Sequence, residues 1–134
     1  MAAAAVNMPD EARRPKKASC LTSWLVVLFF MAVIFRASAV PGSDIPPLFP
    51  FQDIAWHFGI YLILAYFVSR ALGSTWPQIN KKKIFLFTLA FVVFYGITDE
   101  LHQLWTPARS ATGFDVLIDS LGAFTGGLIY QWLL

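Results

Sequence analysis

Between Asp99 and Arg109 the chain places two acids, a histidine, a glutamine and an arginine, and then sets Asp115 and Asp119 one helical turn apart. Carboxylates and imidazoles move protons as general acids and bases, and the same groups hold divalent cations. Asp99, Glu100, His102 and Asp115 are the candidates for acid–base chemistry. Asp53, His57 and Tyr61 recur at a spacing of four and share one helical face. With Gln103, Arg109, Ser110 and Asp119 they make up the candidate ligand or network set. Three readings stay open for Asp99 and Glu100: catalysis, ligand binding, or a tether in which Arg109 folds back onto the carboxylates. Asp115 and Asp119 with His57 or His102 can form a cation site, but no compact motif of the H-E-x-x-H kind is present. The preferred reading is a hydrogen-bonded network between helices, with neither metal nor cofactor. Ser110 has no nucleophile-elbow context, and Ser110-Ala111-Thr112 reads as a loop and cap to the next helix.

The elements that must carry these groups are set by composition. Hydrophobic residues make up 57% of the 134, charged residues 13%, and mean hydropathy is +0.62. Soluble domains carry about a quarter charged residues, so lipid is the solvent for most of this chain. Cys20 is the single cysteine, which excludes an internal disulfide and gives no thiolate metal spacing. No basic face with interleaved aromatics points to nucleic acid.

Four apolar runs predict an all-α integral membrane bundle of four transmembrane helices, about residues 21–38, 53–72, 82–105 and 113–134, within a domain covering 20–134. Residues 1–19 read as a disordered basic cytoplasmic tail. The first run imitates a cleavable signal peptide, but Arg36 lies between it and Ala37-Ser38-Ala39, which favours a retained helix. Gly42 to Phe51 holds three prolines, with Pro41 just before it, and cannot continue a helix. The N-terminal segment and the second connection hold Arg13, Arg14, Lys16, Lys17, Arg70 and Lys81 to Lys83, leaving Arg36 and Arg109 for the other two loops. Positive charge marks the cytoplasmic side, so both termini are expected there.

Length then forces the acids into the membrane edge. Ile84 to Thr98 gives only about 22 Å of helix against a hydrocarbon core of roughly 30 Å. The third helix must therefore continue through Asp99, Glu100 and Gln103 to Trp105, and the fourth needs Asp119 and Asp115 to complete its span. On the fourth helix Asp115, Asp119, Gly122 and Gly126 fall on one face, and the G-x-x-x-G pair predicts close packing against a neighbouring helix.

Asp99-Glu100, His102-Gln103, Pro107, Arg109-Ser110, Asp115, Asp119, Gly122 and Gly126 resemble the signature of the VanZ-like family of small bacterial membrane proteins. Asp53, His57-Phe58 and Tyr61 add to the likeness, as do Ile34-Phe35, Ser38 and Pro41-Gly42, so that it runs from about Trp24 onward. Three positions depart from the usual pattern: Ile54 where the family often has lysine, Ile60 where it often has glutamate, and Ala108 within its Pro-Gly-Arg. The resemblance implies an envelope protein, in the plasma or inner membrane of a bacterium, whose biochemical activity is not established. It also implies an association with susceptibility to the glycopeptide teicoplanin, as for the family's founding member. The partners expected are membrane lipids, and beyond them a lipid-linked envelope ligand or a membrane protein. An oligomer is left open. The alternative is an embedded enzyme acting on a lipid-linked envelope substrate through carboxylate and histidine.

Overall fold

The computed structural model describes residues 17–133. It holds four α-helices: α1 (Lys17–Ser38), α2 (Gln52–Thr75), α3 (Lys81–Gln103) and α4 (Gly113–Leu133), with one short 3-10 turn at Gly42–Asp44 and no strand among the described residues. Residues 1–16, most of the expected tail, lie outside the described residues, while Lys17 to Ser19 belong to α1.

Local chemistry sets the helix ends. The prolines after α1 stop that helix, and Gln52 ties the proline loop by accepting from Leu48 N and donating to Pro46 O. Phe51 turns the chain into α2 through a left-handed backbone, φ 60°. Asn80 caps α3 by accepting from Lys83 N at 2.9 Å. Thr112 caps α4 in the same way, its hydroxyl accepting from Asp115 N at 3.1 Å and donating to the Asp115 carboxylate at 2.6 Å. The expectation that α3 reaches Trp105 is corrected. The helix ends at Gln103 and closes in a turn, with Thr106 N donating to Gln103 O, because Pro107 disfavours helical backbone in the residue before it.

The helices run up, down, up, down. Trp24 of α1 donates to Thr75 at the far end of α2, Phe30 stacks on Phe67, and Ser69 of α2 meets Thr88 of α3. α2 and α4 run parallel and share the most extensive contact in the bundle. That contact depends on glycine. A Cβ on Gly122 would strike the carbonyl of Phe58, and one on Gly126 would strike the carbonyl of Leu62. The two backbones therefore touch, which supplies dense van der Waals packing where lipid gives no hydrophobic drive.

Three helices, counted from Ser19 in α1, are long and apolar enough to cross a membrane. α4 carries two aspartates and four glycines, which lowers its hydropathy, but its 21 residues make about 31 Å of helix. It keeps register with α2 from Asp119 beside His57 to Tyr130 beside Tyr66, and so covers the same depth. Leu21, Leu25, Leu28, Phe29, Phe94 and Leu117 are all more than half exposed, as expected for side chains that face lipid. The protein is a membrane protein.

Candidate functional site

One end of the bundle buries charge. Asp99 and Glu100 lie one turn before the end of α3, and Asp119 lies two turns into α4; their exposures are 4%, 5% and 1%. α2 brings His57 to them, with Nδ1 at 2.8 Å from Asp119 Oδ1. This is the one ion pair among the described residues. Tyr61, one turn deeper, stacks parallel to the His57 ring. α3 makes room at Gly96, where a Cβ would come within 3.2 Å of Asp119 Oδ2 and 3.3 Å of the Tyr61 ring.

A second layer fixes the carboxylates. Ser38, the last residue of α1, donates to Asp99 Oδ1 at 2.6 Å. The Gln103 amide donates to Asp99 Oδ2 at 3.3 Å and to Glu100 Oε1 at 3.4 Å. Thr112 N donates to Glu100 Oε2 at 3.2 Å, which joins the α4 cap to the α3 acid. Thr106 donates to the Ser38 carbonyl at 3.0 Å. Three buried atoms of this region have no hydrogen-bond partner: Tyr61 Oη, His102 Nδ1 and Asp119 Oδ2.

Arg109 does something other than pair with acids. Its guanidinium donates to the carbonyls of Val40 at 3.1 Å and Ala37 at 3.0 Å. It thus satisfies backbone acceptors freed at the end of α1 and ties the outer loop to that helix. Gly42 N donates to Pro107 O beside it. Ala108 adopts φ 55° here, a left-handed backbone that glycine takes without steric cost. This accounts physically for the glycine that the resemblance leads one to expect at that position.

Two cavities meet over the cluster. The first, about 350 Å³, is mainly apolar and runs between α1 and α2, with Val33, Ile34, Trp56 and Ile60 on its walls. The second, about 410 Å³, is polar and opens among the loops, with Gln52, Ser110, Thr112 and Asp115 on its walls. Ile45, Asp53, His57, Gln103 and Arg109 line both, and Asp99 and Tyr61 line the first. The sequence candidates thus gather at one end of the bundle, with different roles. His57, not His102, meets the acids; His102 stacks on Phe35 at 4.3 Å between centroids. Asp115 caps its helix and edges the polar cavity. Ser110 and Asp53 are exposed at the mouth. Ser38, Thr106 and Gly96 were not singled out for the site by their own sequence context. Their weak signal is position, one at the end of an apolar run, one after the α3 acids and one as the single glycine of α3.

The donor sets present suit two tasks. Glu100, Asp119 and His57 offer ligand atoms within 4.8 Å of one another, and the carboxylates and amides at the mouth suit hydroxyl-rich groups. No curated protein and no solved structure matches the chain. The sequence does match the family described as VanZ/LLP1 over residues 23–134, which takes in all four helices from the second turn of α1 onward. On that match, the chain belongs to the VanZ/LLP1 family.

Proposed function

We propose that this protein binds a lipid-linked saccharide of the bacterial envelope, taking the chain in the cleft between α1 and α2 and the head group in the polar cavity. The observation that carries this reading is the junction of the two cavities, one apolar and one polar, at a shared wall of Asp53, His57, Gln103 and Arg109. An amphiphile needs both environments within a few ångströms, and carboxylates and amides accept from and donate to sugar hydroxyls. Changed susceptibility to teicoplanin, which the family carries as an expectation, follows if the bound head group is an envelope precursor.

The orientation belongs to the same reading. Lys81 to Lys83 open α3 and its acids close it, so a cytoplasmic lysine end turns the cavities outward. We expect Thr112→Cys, in a background without Cys20, to react with an impermeant thiol reagent on intact cells and Lys82→Cys to stay silent. The reverse pattern would overturn the orientation.

The binding experiment uses the chain in lipid nanodiscs with a photoreactive polyprenyl-diphosphate saccharide. Capture should fall at least tenfold with Ile60→Trp, which fills the apolar cleft, and with Asp53→Ala at the mouth. Capture equal to the parent in both variants would sink the proposal. A second reading, an enzyme on the same ligand, draws on one observation. Asp119 orients the His57 imidazole at a cavity wall, as a carboxylate orients a general base. Conversion of the captured probe to a new product, abolished in His57→Gln, would favour that reading over binding alone.

A further inference from the structure

The bundle buries more carboxyl groups than its basic side chains pair. Asp99, Glu100 and Asp119 are each at least nine-tenths buried, and His57 is the one cationic group paired with any of them among the described residues. Arg109, the nearest permanent cation by sequence, spends its guanidinium on the Ala37 and Val40 carbonyls. Charge buried without compensation is strongly disfavoured, and a divalent cation is a compact remedy.

We propose that His57, Glu100 and Asp119 form a binding site for a divalent first-row transition cation, with one ligand from each of α2, α3 and α4. The donor atoms of the three lie within 4.8 Å of one another. His57 Nδ1 and Asp119 Oδ1 now share a proton at 2.8 Å; ligands of one tetrahedral ion bound at about 2.1 Å lie ~3.4 Å apart, so an ion takes the place of that proton with a small parting of the two groups.

A separate observation points to a ligand. Asp119 Oδ2 is buried, has no hydrogen-bond partner, and lies over Gly96, one turn before Glu100 on the same face of α3. A carboxylate oxygen left bare in the interior, on a residue within ligand reach of a second acid, is the arrangement that a cation completes. Glu100 is oriented for it by Thr112 N and the Gln103 amide, as outer-shell donors hold ligating carboxylates. One imidazole with two carboxylates suits Zn²⁺ or Mn²⁺ better than Ca²⁺, which takes oxygen alone. Of the three, His57 lines both cavities, so its ring is all that separates the site from them. The inference concerns the cation by itself and stands or falls apart from the lipid-linked ligand.

The test uses the full chain in nanodiscs, stripped with chelator and titrated with Zn²⁺ or Mn²⁺ alone, with no saccharide present. One equivalent per chain should bind, and Asp119→Asn or Glu100→Gln should weaken binding at least a hundredfold. Asp44→Asn, an exposed acid of the loop after α1, should match the parent. Co²⁺ bound to the parent chain should show visible d–d bands, and X-ray absorption should show nitrogen from one imidazole; this readout needs no variant to fold. Failure of the parent chain to retain any cation, a bound cation with no imidazole nitrogen, or equal affinity in all variants would each overturn the proposal.

Discussion

The two ends of this bundle bury polar groups in opposite ways. At the end near Lys81, buried hydroxyls satisfy one another or the backbone. Ser69 meets Thr88 at 2.9 Å, Thr75 donates to the Ala71 carbonyl, and the Trp24 indole donates to Thr75. At the other end three carboxylates are buried and three polar atoms lack partners. The same α2–α4 pair runs through both ends. It is sealed by glycine against backbone in the middle and bridged by His57 and Asp119 above. Satisfied hydroxyls hold helices together, whereas each unsatisfied buried group costs stability and calls for a partner or a role.

The comparison breaks first if the seam is not the structural half. Gly126→Leu must push the α2 and α4 backbones apart and should cost about 3 kcal/mol, while Leu128→Ala, which removes an outward-facing side chain, should be nearly neutral. Melting in nanodiscs checks this, and equal midpoints would place the seam elsewhere. The next effect in size is Ser69→Ala. It leaves the Thr88 hydroxyl buried without its partner and should cost about 1–2 kcal/mol with no effect on ligand capture.

Arg109→Gln removes two charge-assisted donors from the Ala37 and Val40 carbonyls and should lower stability by about 1 kcal/mol. Arg109→Lys should recover only part of it, since one ammonium cannot reproduce the planar fork. Full rescue by lysine would mean that charge alone matters there. The smallest change is a gain. Ala108→Gly relieves the left-handed backbone at φ 55° and should raise stability by up to about 1 kcal/mol; a lower melting point would show the loop to be unstrained.

The four helices were legible because apolar runs, proline clusters and lysines punctuate the chain at bilayer spacing. The Gly122–Gly126 pair was legible too, since two glycines one turn apart can face one neighbour. The identity of that neighbour was not, because nothing local distinguishes α2 from α3 as the partner. Arg109 misled for a related reason. Charge suggests a carboxylate, yet the end of α1 offers carbonyls just as hungry for a donor, and only the fold brings them into reach. His57 and His102 looked equivalent, each within a turn of an acid. The choice fell to helix register, which puts His57 on Asp119 and His102 on Phe35. Ser38 and Gly96 acquire their roles only once Asp99 and Asp119 are placed beside them.

The most direct test sets one variant from each end side by side. Asp119→Asn keeps a side chain of the same shape but takes the carboxylate from His57, the residue through which it reaches both cavities, whereas Ser69→Ala breaks a satisfied pair. Both are measured in nanodiscs for melting temperature and for capture of the photoreactive lipid-linked saccharide. The account predicts that Asp119→Asn melts no lower than the parent and loses capture, while Ser69→Ala melts lower and keeps it. If Asp119→Asn instead unfolds the bundle, or keeps full capture at unchanged stability, the acidic end is scaffold and the distinction between the two ends fails.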